Sequence, residues 1–217
     1  MKFKFNNKDI FFIHIPRTAG TYIEDSISRK YGILKKWPEP NTEILFGLLK
    51  MKENHFLTLQ HLTLKEMIKF GFLDNKDAEI FTVIRNPYDR IISLYKNWFN
   101  KYETLDMFLD KLISMKLDEY TFNGIVTNKK DFNYLNMTDD IDDIRYFVLP
   151  QYYYIMQDGN EYGVDVIKYE EMEKINTKYG TNLKYSNRGG KYDFSDSQRD
   201  KIYQIFKKDF EYFEYDR

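Results

Sequence analysis

Apolar residues follow two different rhythms along this chain. Ile10-Phe11-Phe12-Ile13-His14-Ile15 is an unbroken β-branched and aromatic run, the pattern of a short strand buried on both faces. Pro16 to Thr21 interrupts it as a turn. Ile23, Ile27 and Tyr31 then recur at helical spacing as far as Gly32, a helix stop. Residues 37–54 lose periodicity around Pro38 and Pro40, and His55 to Leu59 fits a short strand. Thr63 and Glu66 have capping-box spacing for a helix reaching Phe70. Glu79 to Ile84 predicts a second buried strand. Asn86 and Pro87 suit the N-cap and first position of a helix whose apolar stripe is Ile91, Leu94, Tyr95 and Trp98. Thr104 opens a further helix with Leu105, Phe108, Leu109 and Leu112 on one face. Periodicity is weak over 116–150. Val164 to Tyr169 predicts a third strand, followed by a helix ending at Gly180. Ser195 and Gln198 cap a last helix striped by Ile202, Ile205, Phe206, Phe210 and Phe213.

Strands alternating with helices predict an α/β fold, a parallel sheet flanked by helices. Ligands of such sheets collect at the carboxyl ends of strands, where the turns after Ile15 and Ile84 both fall. The chain has 217 residues, 42% hydrophobic and 31% charged, with no repeat or linker, so one domain over 1–217 is expected.

Composition removes several chemistries. Without cysteine there is no disulfide, thiolate nucleophile or cysteine-based metal site. A net charge of −1 gives no global attraction to nucleic acid or anionic membrane. The run 10–15 is too short for a membrane span or signal core, and a cytoplasmic, unanchored protein is expected.

Candidate chemistry sits in the two turns. In Pro16-Arg17-Thr18-Ala19-Gly20-Thr21 small residues lead into a helix N-terminus, whose free N–H groups and dipole favour an anion. Arg17 adds a fixed cation, and Thr18 and Thr21 add hydroxyls. A Walker A loop is excluded, since its early Gly and its Lys are missing. Read alone, the turn fits either phosphate or sulfate binding or a plain glycine turn. In the second turn Arg85 ends a strand, and Ser93 falls opposite the apolar stripe of the next helix. A solvated Ser and an Arg paired with Asp89 would be the bland account.

Together these segments resemble a known family. Ile13-His14-Ile15-Pro16-Arg17-Thr18-Ala19-Gly20-Thr21 resembles the HIPKTAGT signature of PAPS-dependent sulfotransferases of the carbohydrate type (PAPS is 3'-phosphoadenosine 5'-phosphosulfate). Arg85-Asn86-Pro87-Tyr88-Asp89-Arg90-Ile91-Ile92-Ser93-Leu94-Tyr95 is similar to the family's RNPYDR…SLY block. Pro150-Gln151, Val164 to Glu170, Asn187 to Tyr192 and Asp209 to Tyr215 resemble later family segments.

The resemblance implies a P-loop NTPase-like sulfotransferase fold. It implies that residues 18–22 (Thr18, Ala19, Gly20, Thr21, Tyr22) with Arg17 grip the 5'-phosphosulfate, while Arg85 and Ser93 hold the 3'-phosphate. Arg188, Lys191 and Tyr192 would close over the donor. PAPS would be the donor and PAP the product, without a metal ion, and Arg17 would offset charge on the leaving phosphate. The family usually has Lys at Arg17, and Arg stabilises charge without giving up a proton.

His61, in Gln60-His61-Leu62-Thr63, matches the proposed base of some relatives; the alternative is a structural histidine at a helix terminus. His14 reads as a satisfied core residue. The acceptor, expected to be a glycan, would meet residues 33–60 and 116–150, treated as acceptor-side insertions. Oligomeric state has no signature here. Rival readings are a non-catalytic binder of PAP or sulfated glycan, and a P-loop-like kinase, which the missing Walker Lys disfavours.

Overall fold

In the computed structural model, residues 1–52, 55–99, 104–115, 147–157, 162–184 and 192–217 are described. The side chains of 51–57 and Trp98, most of the 116–150 segment, and Arg188 and Lys191 lie outside this set.

The main sheet contains β1 (Lys2–Phe5), β2 (Lys8–Ile13), β5 (Glu79–Ile84) and β6 (Val164–Lys168), in the order β1-β2-β5-β6. β2 is parallel to β5 and β5 to β6, with Ile13 opposite Thr82 and Ile84 opposite Lys168. All three strands therefore end on the same edge. The sheet is mixed rather than wholly parallel, because β1 folds back antiparallel on β2. The reason is the pair Asn6-Asn7, both at positive φ (49° and 63°), which closes a two-residue hairpin. A second hairpin, β3 (Leu48–Lys52) with β4 (His55–Thr58), gives strand structure to part of the 37–54 stretch that shows no periodicity.

Helices cover both faces. α1 (Gly20–Tyr31) packs Ile23 and Ile27 against Ile10, Phe12, Phe81 and Val83. On the other face α2 (Leu64–Lys69) and α5 (Tyr152–Ile155) pack against Phe11, Ile13, Ile80 and Ile84. Successive strand residues thus belong to opposite cores, which is why β2 and β5 read as continuous apolar runs. A third core joins α3 (Pro87–Leu94), α4 (Leu105–Ser114) and α7 (Asp196–Phe213). Between β6 and α7 lies the short α6 (Glu173–Tyr179), stopped by Gly180 in the left-handed conformation.

The expected caps form. Thr63 with Glu66 and Ser195 with Gln198 make capping boxes, and Asn86 accepts from the Tyr88 N–H. After Leu94, α3 passes into a π-type turn over Tyr95–Phe99. Among the described residues no helix is long and apolar enough to cross a membrane.

Candidate functional site

A cavity of about 840 Å³ opens at the carboxyl edge of the sheet. Its wall comes from three strand ends: His14 to Tyr22 after β2, Arg85 to Asn97 after β5, and Tyr169 and Met172 after β6. Cations on the wall are Arg17, Arg85, Lys96 and Lys184, and its carboxylate is Asp89.

The first turn is shaped by two residues that pay for left-handed backbone, Arg17 (φ 70°) and Ala19 (φ 69°). Ala19 is the N-cap of α1 and offers no side-chain hydrogen bond, and the first turn of α1 contains no acidic residue. The leading N–H groups are thereby left for an external anion. Gly20 is required by a close approach: a Cβ there would lie 1.8 Å from Cδ2 of His14.

Arg17 crosses to the second turn. Its Nε and Nη2 donate to Ser93 Oγ at 3.2 and 2.9 Å, joining positions 76 residues apart. Burial, and then the charges of Arg85 and Arg90, pull Arg17 below the ordinary arginine range, as expected where like charges crowd. Arg85 is 9% exposed, lies 4.8 Å over the Tyr169 ring, and leaves its Nε without a partner among the described residues. Both motif turns thus face one cavity lined with positive charge.

A family model described as the sulfotransferase family matches residues 3–161. The chain belongs to the sulfotransferase family. Curated proteins and solved structures give no match. In this sulfotransferase, Arg17, Ala19, Gly20, Thr21, Tyr22, Arg85 and Ser93 all line the cavity. The Tyr192 ring packs tilted against Phe194 at 4.7 Å, and its centre lies 5.5 Å from the ammonium of the wall residue Lys96.

Two expected side chains are placed differently. Thr18 is fully buried and its hydroxyl donates to the Ile15 carbonyl at 2.9 Å, so it offers the cavity no side-chain donor. His61 lies beneath the cavity rather than on its wall. Its Nδ1 is 3.0 Å from the His14 carbonyl, which can only accept, so Nδ1 carries the proton. The Nε2 lone pair faces Gln60 Nε2 at 3.3 Å. Burial, then the adjacent His14 ring, push His61 down to about 3, so it is neutral with its basic nitrogen engaged.

His14 shows the opposite arrangement. It is 3% exposed yet lines the cavity, and its Nδ1 is 3.0 Å from Glu24 Oε1. Nδ1–H donates to that carboxylate, leaving the Nε2 lone pair on the Gly20 side. Burial would raise the Glu24 pKa, but the charge that His14 carries when protonated, together with its hydrogen bond, outweighs burial and holds the carboxyl at about 2.

Lys96, Lys184 and Met172 also line the cavity without a motif to announce them, and Tyr169 joins them from the Val164 to Glu170 segment. Among the described residues no cluster of three or more His, Asp or Glu side chains could hold a metal ion.

Proposed function

We propose that this sulfotransferase takes its sulfuryl group from PAPS and transfers it to a hydroxyl or amine of an acceptor, with carbohydrate as the acceptor class. The observation that carries the reading is the Arg17–Ser93 contact within a cavity that also holds Arg85. A donor with anionic groups at both its 5' and 3' positions needs two cation sites within one nucleotide's reach. An 840 Å³ cavity is of the size that encloses such a ligand.

When bound, the donor supplies a sulfur whose bond to the bridging phosphate oxygen breaks as the bond to the acceptor forms, leaving PAP. Arg17 and the first N–H groups of α1 hold the 5' end and stabilise charge on the departing phosphate oxygen. Arg85 forks onto the 3'-phosphate, and Ser93 donates its hydroxyl proton there. His14 Nε2, oriented by Glu24, takes the acceptor's proton. His61 supports the His14 main chain and is not the base. Thr18 contributes through its main chain.

One observation favours a second reading, a PAP- or sulfated-glycan-binding protein without turnover. Arg17 stands where the family has Lys, and a guanidinium does not release its proton.

Thermal stability with PAP against ADP tests the donor. PAP at a hundred times its dissociation constant adds ~2.7 kcal/mol, a rise of roughly 5–11 °C for a chain of this size. ADP at the same concentration should give a smaller rise, and Arg85→Ala should erase the difference. Equal shifts from PAP and ADP in the unmodified protein would overturn the donor assignment. Turnover of labelled PAPS across a panel of sugars, tyrosine peptides and amines tests the acceptor class and separates an enzyme from a binder.

A further inference from the structure

We propose that Gln151 and Asp209 are positioning residues for the 3'-phosphate clamp, a buried strut that runs from the last helix to the main chain of Arg85 and fixes where its guanidinium enters the cavity. The inference rests on the PAPS reading above.

Gln151 is fully buried and meets both main-chain groups of Arg85. Its Oε1 accepts from the Arg85 N–H at 2.8 Å, and its Nε2 donates to the Arg85 carbonyl at 2.8 Å. Arg85 stands one residue past the last β5–β6 pair, Ile84 with Lys168, so the side-chain amide occupies the place of a missing ladder partner. Asp209, also fully buried, holds Gln151 in turn. Its Oδ2 accepts from Gln151 N at 2.9 Å and Gln151 Nε2 at 3.3 Å, while Oδ1 accepts from Tyr152 N at 2.8 Å. These partners allow the Gln151 amide one orientation only, with Oε1 toward the N–H and Nε2 toward the two acceptors.

The strut matters because of how little else aims Arg85. Its guanidinium lies over the Tyr169 ring, and Nε has no hydrogen-bond partner among the described residues. The direction of the side chain is therefore inherited from its main chain. A displacement of about 1 Å at the reacting groups is enough to cost two orders of magnitude in rate. A Gln–Asp pair that merely stabilised the fold would lower the melting temperature and weaken all nucleotides alike. A positioning pair weakens the ligand carrying the 3'-phosphate.

The test is a double-mutant cycle on the full chain, with PAP and ADP titrated calorimetrically. Gln151→Met keeps the length of the side chain and removes both bonds to Arg85. Its PAP dissociation constant should rise about tenfold, or about 1.4 kcal/mol, with that for ADP nearly unchanged. In an Arg85→Ala background the same substitution should add no further loss for PAP.

An unchanged PAP-to-ADP ratio in Gln151→Met, or a loss fully additive with Arg85→Ala, would overturn the inference while leaving the PAPS reading intact. A wild-type protein with no preference for PAP removes that reading and the inference together. If Gln151→Met does not fold, Asp209→Asn is measured in the same way. It leaves both Gln151–Arg85 bonds possible and loosens their anchor. A smaller loss specific to PAP supports the strut, and an unchanged ratio refutes it.

Discussion

Arg90 donates from Nε to the carbonyl of Pro16 at 3.0 Å, fastening the helix of the second turn to the backbone of the first. Its Nη2 donates to the Phe147 carbonyl at 3.1 Å, and the residue is 3% exposed. Burial lowers its pKa, with the charges of Tyr154 and Asp209 opposing that in part. Two charge-assisted bonds inside the protein are worth several kcal/mol together. Arg90→Ala is expected to destabilise the chain by on the order of 3–5 kcal/mol in urea unfolding. Arg90→Lys should recover less than half, because a single ammonium cannot fork to both carbonyls. A loss below about 1 kcal/mol would contradict the fastening.

Arg17 should behave as an electrostatic group rather than a proton donor. Arg17→Ala is expected to lower kcat by about 10²–10³, the usual cost of removing one such stabiliser. Arg17→Lys, which restores the family's residue, should keep kcat within about tenfold of the parent or raise it. Ser93→Ala should weaken PAP more than ADP. Steady-state kinetics with PAPS varied against a saturating acceptor provide the check.

The two central histidines give opposite expectations. His14→Asn removes the proposed base and should lower kcat by about 10²–10⁴, with PAP affinity unchanged by calorimetry. His61→Asn should leave kcat within about tenfold and act mainly on stability. If His61→Asn abolishes turnover while His14→Asn does not, the proton acceptor has been assigned to the wrong ring.

His61 also makes stability depend on pH. It sits at about 3 in the folded chain against 6.5 when unperturbed. Between those values the unfolded chain binds a proton that the folded chain refuses. The contribution of His61 is therefore present above pH 6.5 and falls as pH drops toward 3, by up to about 1.4 kcal/mol per unit, beside the loss from the buried Met1 ammonium, which burial pulls from 8 to about 6. Glu24 adds a loss in the same direction lower down, from 4.5 toward 2. Urea unfolding at pH 7, 6 and 5 should show the decline, and His61→Asn should reduce its slope, most clearly between pH 6 and 5 where the Met1 ammonium no longer contributes. Equal slopes in the two proteins would count against the burial argument.

What the sequence disclosed was local. The pairs Thr63/Glu66, Asn86/Pro87 and Ser195/Gln198 announce helix starts because cap and partner are three residues apart or fewer. The two motif turns are equally legible, each being a contiguous segment at a strand end. β1 is not, since its four residues become a strand only when the Asn6-Asn7 turn lays them on β2. Thr18 and Thr21 look equivalent as residues, but the left-handed Arg17 and Ala19 send only one of them to the cavity. Which histidine lines the wall depends on where His61 lands against the His14 carbonyl, 47 positions away. Gln151 and Asp209 stand in segments that resemble the family's, but their pairing is not legible for the same reason: their partners lie 66 and 58 residues off.

The C-terminal helix reaches the centre of the molecule through Asp209, although the family match stops at residue 161. A fragment truncated before residue 196 would keep every wall residue from His14 to Lys184. It would nevertheless strand Gln151 and Tyr152 with open N–H groups in the interior. Removing only the last helix would therefore yield a receptacle of correct composition whose Arg85 main chain has come unpinned.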